Sequence, residues 1–185
     1  RAVEQIIENC TFGELKPNLQ PFFDIEYVFI KLRAKSIGEV ATVKLLMPDD
    51  EETQVDVDIN LDEVECVRDV SHNALIQLTD NIGLTLDYPR VEAIAKISDL
   101  SEGEAGFAIV KDCISQIHDA ENVYAKSDMD AKELDEFIDS LTHSQFEKVQ
   151  EFFDTMPKVK HLVKVKNPNT GVVNEIVIEG MQNFF

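Results

Sequence analysis

The sequence is short of several things, and each shortage excludes a class of protein. Basic residues number 17 against 36 acidic ones, a net charge of −19. Such a charge repels nucleic-acid phosphate, and the counterion release that drives nucleic-acid binding works against it. Cysteine occurs three times, at Cys10, Cys66 and Cys113. An odd, widely spaced set gives neither a disulfide framework nor a zinc pattern and fits a reducing cytosol. No apolar run approaches the roughly 20 residues that span a bilayer, so a soluble chain is expected. The glycines are scattered without a phosphate-cradling pattern, and no serine sits in a nucleophile elbow. His72, His118, His143 and His161 form no i, i+4 pair and none lies beside a cysteine, so a helical metal site is absent.

What is present is an ordinary folding composition, 44% hydrophobic and 29% charged over 185 residues, enough for one substantial core or two small ones. The acidic excess has two readings, simple solubility or a basic protein partner steered in by the field. Acidic clusters at Asp49–Glu52, Asp62–Glu65 and Asp128–Glu136 lie in turns and on helix faces, where water screens them. Acid/base catalysis needs a carboxyl in an apolar pocket. The run 56–62 alternates oxygen-bearing side chains but lacks the glycine and bidentate glutamate of a calcium loop. No enzyme signature emerges. Arg1 opens in the middle of an amphipathic run (Val3, Ile6, Ile7, Cys10), which leads us to expect residues preceding this numbering.

The most sharply punctuated stretch is Thr142 to Phe185. Thr142 and Gln145 form a capping box, and Phe146, Val149, Phe152, Phe153 and Met156 recur at helical spacing until Pro157. Two alternating runs follow, joined through Asn167-Pro168-Asn169-Thr170-Gly171, a hairpin signature. The same order, helix then hairpin, is read at 23–61, with Asp24 as N-cap, Gly38 as the stop, strands at 40–46 and 55–61, and a charged turn from Pro48 to Glu52. Duplication and chance recurrence both account for that parallel between 23–61 and 142–180. Between them 64–70 reads as irregular. A hairpin is expected at 74–79 and 84–88, and a short helix at 89–97. A loop follows at 98–106, then a long helix carrying Phe107, Val110, Ile114 and Ile117. A further helix, capped by Ser127 or Asp128, has Leu134, Phe137, Ile138 and Leu141 facing inward. The expected fold is α+β, a single domain over 1–185 built from amphipathic helices and antiparallel hairpins.

Three stretches together carry a resemblance: Cys10-Thr11-Phe12-Gly13 with Phe23 to Glu39; Leu141 to Pro157 with its Gln145-Phe146 and Phe152-Phe153 pairs; and Glu179-Gly180-Met181-Gln182-Asn183-Phe184-Phe185. They resemble the baseplate hub assembly proteins of T-even-type contractile-tailed bacteriophages, in order over nearly the whole chain. The resemblance implies a non-enzymatic role in building the tail baseplate hub with other hub or tape-measure proteins, in the host cytoplasm and in the virion baseplate. A transient assembly chaperone, absent from the mature virion, is the alternative. A cryptic carboxylate enzyme is a third and weaker reading. The resemblance implies Cys-x-x-Cys pairs in the hairpin turns, which relatives often carry. Here the turns at 47–53 and 167–171 have none, so no metal and no cofactor are expected. Met181, Phe184 and Phe185, with Phe152 and Phe153, are the expected partner-binding residues, because aromatic and methionine anchors suit interface hot spots. Packing of the 181–185 segment onto the protein's own core is the competing expectation.

Overall fold

The computed structural model describes residues 2–185; Arg1, where the amphipathic run opens, lies outside them. In chain order the elements are helices α1 (Ala2–Cys10) and α2 (Phe22–Ser36) and strands β1 (Val40–Leu46), β2 (Gln54–Asn60), β3 (Glu65–Val67), β4 (Leu75–Gln77) and β5 (Gly83–Leu86). Then come α3 (Val91–Ile97), α4 (Glu102–Cys113), β6 (Ile114–His118), β7 (Val123–Ala125), α5 (Ala131–Asp139), α6 (His143–Thr155), β8 (Lys158–Lys166) and β9 (Val173–Glu179). All pairings are antiparallel. The fold is α+β.

The chain, read from sequence as one domain, divides into two compact units: 2–67 with Pro157–Phe185, and Arg68–Met156. The helix and hairpin of 23–61 lie together in the first unit. In 142–180 the helix α6 belongs to the second unit and the hairpin β8–β9 to the first.

In the first unit a two-stranded sheet, β1–β2, and a three-stranded sheet, β3–β8–β9, pack with α2 around one core. Ile30 and Ala34 of α2 meet Ala41, Val43, Ile59, Val159, Val163 and Ile178 of the strands there. Helix α2 starts earlier than Asp24 predicts. The Pro21 carbonyl accepts the Asp24 and Ile25 N–H groups at 3.1 and 3.3 Å, so Phe22 and Phe23 join the first turn. Asp24 sits inside that turn, where a negative charge suits the helix dipole. The segment expected to be irregular at 64–70 contains β3, which pairs Cys66 with Val159.

The second unit has the four-stranded sheet β4–β5–β6–β7 with α3 to α6. Its main surprise is β6. Ile114 and Ile117 follow Val110 at spacings that read as helix, yet the helix ends at Cys113. The register between β5 and β6 slips between Thr85 and Leu86, because Gln116 opposes Thr85 while Ile114 opposes Leu86. The extra residue, Ser115, is a bulge. It lets two residues three apart turn to one side of a strand, and both Ile114 and Ile117 are buried. Helix α4 begins inside the expected loop because Ser101 donates its backbone N–H and hydroxyl to Glu104. Helix α5 is capped by Asp130, which accepts the Glu133 N–H at 2.8 Å, rather than by Ser127 or Asp128. The α6 capping box forms as the sequence predicts, with the Thr142 N–H donating to Gln145 Oε1 at 2.8 Å.

Candidate interaction groove

The segment after β9 is folded onto the first unit in a definite order. Gly180 turns the chain with φ +81°, a left-handed backbone that favours glycine, and its N–H donates to the Val159 carbonyl at 3.1 Å. A 3-10 turn, Met181–Phe184, follows. Met181 donates its N–H to Glu26 Oε1 at 2.9 Å. Glu26 is buried; that burial raises its carboxyl above the ordinary range, and the Met181 bond pulls it part of the way back. Phe184 is fully buried among the core residues of this unit. Phe185 keeps 52% of its surface exposed. Its ring stands edge-on to Phe29 at 5.9 Å, with the Arg33 guanidinium 5.7 Å from its centroid.

The five residues singled out in the sequence therefore separate. Phe184 and Phe152 are core residues of the first and second unit respectively. Met181 and Phe153 are half-buried, and Phe153 packs edge-on against Phe152 at 5.1 Å. Phe185 is the one of the five that offers a large solvent-facing surface.

What Phe185 faces is a groove of about 370 Å³ in the first unit, lined by Thr42, Val43, Lys44 and Leu45 of β1, by Ile176, Val177, Ile178 and Glu179 of β9, and by Gln182, Asn183 and Phe185. Each strand contributes consecutive residues, while no residue of the partner strands β2 and β8 lines the groove. A groove of that kind runs along strand edges. In an antiparallel pair, opposed residues alternately turn their N–H and C=O groups into the ladder and away from it. On β1 the phase is fixed by Leu61 N–H donating to the Glu39 carbonyl at 2.7 Å and Met47 N–H to the Thr53 carbonyl at 2.8 Å. The ladder residues of β1 are thus 41, 43 and 45, and Val40, Thr42, Lys44 and Leu46 turn their main chain away from β2. On β9, Asn167 N–H donates to the Val172 carbonyl at 2.8 Å, and Gly180 bonds Val159 as above. Val173, Glu175, Val177 and Glu179 therefore turn their main chain away from β8. The Glu179 carbonyl accepts from Asn183 Nδ2 at 2.7 Å.

One end of this arrangement is pinned by side chains from the two hairpin turns. Buried Asn167 donates to Asp49 Oδ1 at 3.0 Å and to Asp50 Oδ2 at 2.9 Å. Asn174 reaches Asp49 Oδ1 at 2.8 Å, Asn169 reaches Thr53 Oγ1 at 2.8 Å, and Thr170 donates its hydroxyl to Asp49. The Asn167 and Thr170 bonds hold Asp49 below the usual carboxylate range. Thr53, then Asn167, hold Asp50 far below it. The acidic turn from Pro48 to Glu52 is thus a clasp that joins the end of β1 to the start of β9.

Little else in the molecule gathers chemistry. Among the described residues no group of three or more His, Cys, Asp or Glu side chains is placed to hold a metal ion. Among the described residues, Glu26, His72, Asn167 and Asn174 are the buried polar or charged side chains. His72 lies tilted against Phe152 at 4.9 Å, stacks on Tyr88 at 5.5 Å and shares a hydrogen bond with Thr155 at 2.9 Å. The free strand edges were not legible as a site. A sequence shows the alternation of β1 and β9 but not which side of each strand remains unpaired.

The profile of one protein family, described as T4 bacteriophage base plate protein, matches residues 1–185. No curated protein and no solved structure matches the chain.

Proposed function

This chain belongs to the T4 bacteriophage base plate protein family, and from that premise we propose that it is a non-enzymatic assembly protein of the baseplate hub. In this reading it binds other hub or tape-measure components through the β1–β9 groove and Phe185. The observation that carries the reading is the groove itself: two free strand edges and a half-exposed aromatic ring facing one depression. Exposed aromatic anchors beside unsatisfied main chain are features that protein partners fill. The non-enzymatic part is supported by the use of the polar groups. The buried acid, Glu26, receives the Met181 N–H, and Asp49 and Asp50 are consumed in the clasp. The charge of −19 favours a basic partner through steering of the encounter.

Co-expression of the tagged chain with neighbouring tail gene products tests this. The expected outcome is a stable complex with a hub or tape-measure protein that weakens in Phe185→Ala. A complex unaffected by Phe185→Ala moves the interface elsewhere, and failure to retain any tail protein refutes the reading. Mass spectrometry of purified virions separates a resident hub component from a factor that leaves after assembly.

A further inference from the structure

Among the described residues the three sheets have six outer strands, and β8 is also open beyond β3, where it carries Lys164 and Lys166; the fold treats these edges differently. Strands β3, β4 and β7 are three residues long, too short to template another chain. The edge of β2 carries Asp56 and Asp58, charges that discourage pairing. These are the usual protections of sheet edges. Strands β1 and β9 have little of this. Each is seven residues long, contains no proline and runs against its partner without a bulge. Strand β1 has one charge, Lys44. The two glutamates of β9 are ion-paired, Glu175 with Lys164 at 2.7 Å and Glu179 with Lys158 and Lys160. Both strands turn their open main chain toward the same groove. At the open positions Val40, Leu46, Val173 and Val177 also leave apolar side chains at least half exposed. Unsatisfied peptide groups flanked by alternating apolar side chains are the complement of a β-strand.

We propose that the β1–β9 groove accepts an extended, net-basic segment of a partner protein as an added strand, hydrogen-bonded to the open edge at Val177 and at Lys44. A strand lies about 4.8 Å from each neighbour in a sheet, so one segment seated between the edges joins two separate sheets into one. The charge of the whole chain selects the occupant. A second copy would bring −19 against −19, whereas a basic segment is drawn in by that field; the lining itself is balanced, with Lys44 opposite Asp56 and Glu179 held by Lys158 and Lys160. Apolar residues at every second position of the segment meet Val177 and the ring of Phe185. The proposal rests on the assembly reading above and adds to it the form and chemistry of the partner.

The test uses short overlapping peptides that cover the baseplate and tape-measure proteins of the same phage, titrated against the intact chain and two proline variants. Val177→Pro and Lys44→Pro each delete an outward N–H that takes no part in the ladder, a change edge strands tolerate. Amide exchange across β8 and β2 verifies that each variant is folded; Glu175→Pro and Thr42→Pro replace any variant that is not. The expected result is binding of basic peptides with alternating apolar residues, weakened about tenfold or more in each variant, since a partner carbonyl is left unpaired. The amides of Val177 and Lys44 should become protected in the complex. Peptides that bind the variants as well as the parent overturn strand addition. So does a concentration-dependent dimer of the chain that Val177→Pro abolishes, because it makes a second copy the occupant. If no peptide binds while intact tail proteins still co-purify, strand addition fails and the assembly reading stands. If neither binds, the assembly reading itself fails.

Discussion

Phe184 and Phe185 are adjacent and chemically identical, and the structure gives them opposite surroundings. Phe184 has no exposed surface and sits among core residues of α2, β1 and β9. Burying roughly 150–200 Å² of aromatic surface at about 25 cal/mol per Å² is worth about 4–5 kcal/mol, an upper figure because unfolded chains already hide part of that area. Phe184→Ala should therefore cost the first unit about 3–5 kcal/mol, as truncations of buried phenylalanine do. Phe185 retains one edge-on ring contact and a cation–π contact at half exposure, so Phe185→Ala should cost about 1 kcal/mol or less. Urea unfolding followed by hydrogen exchange, which reads β1, β2, β8 and β9 apart from the second unit, measures both. Equal costs for the two variants, or a cost below about 1 kcal/mol for Phe184→Ala, would refute the assignment of Phe184 to the core. The assembly assay should rank them the other way, with Phe185→Ala impairing partner binding in a chain that remains folded.

Glu26 sets a pH dependence. Its carboxyl is raised by burial, so the folded state takes up a proton more readily than the unfolded one. Its contribution is most favourable at low pH and diminishes as pH rises from 4.5 through the folded value. Glu26→Gln keeps the acceptor for Met181 and should flatten that slope in pH-dependent unfolding; an unchanged slope would discard Glu26 as its source. The clasp predicts the opposite sign. Asp49 and Asp50 are depressed, so their contribution is present above about pH 3.8 and disappears on acidification. Asn167→Ala should cost about 0.5–1.5 kcal/mol, because it removes a buried side chain's hydrogen bonds to the solvent-accessible Asp49 and Asp50, and a neutral result would show the clasp to be incidental. Cys113 is buried and its thiol is pushed up to about 12, whereas Cys10 is exposed. Alkylation near pH 8 should label Cys10 at once and Cys113 only on unfolding, as peptide mapping would reveal.

Local signals carried the fold well where the chain's own neighbours decide it. The Thr142–Gln145 capping box, the β8–β9 hairpin and the β1–β2 hairpin are all set by residues within a few positions of one another, and they form where the sequence indicates. Errors arose where a distant partner decides. Ile114 and Ile117 look helical until the bulge opposite Thr85 and Leu86 puts them on one side of a strand. Cys66 looks irregular until β8 arrives to pair with it. Of the five residues singled out in the sequence, Phe185 is the one that lines the groove. Phe184 and Phe152 share its composition and spacing signals, but burial depends on the whole unit and removes both from the surface. The open main-chain groups of β1 and β9 leave no trace in side-chain identity at all.

The first unit is assembled from two separated stretches of chain, and that has a kinetic consequence. Cys66 and Val159 are about ninety residues apart in sequence yet adjacent in a ladder. Contacts of such high contact order form late, because their loop-closure entropy must be met before any pairing is gained. The whole of Arg68–Met156 emerges from the ribosome between the two stretches, so the second unit can be complete while β1 and β2 still wait for β8 and β9. Released chains truncated after residue 156 should show protease resistance in the second unit and sensitivity in the first. The groove cannot exist until its far wall has been synthesised, so under the assembly proposal translation itself sets when a partner could first be received.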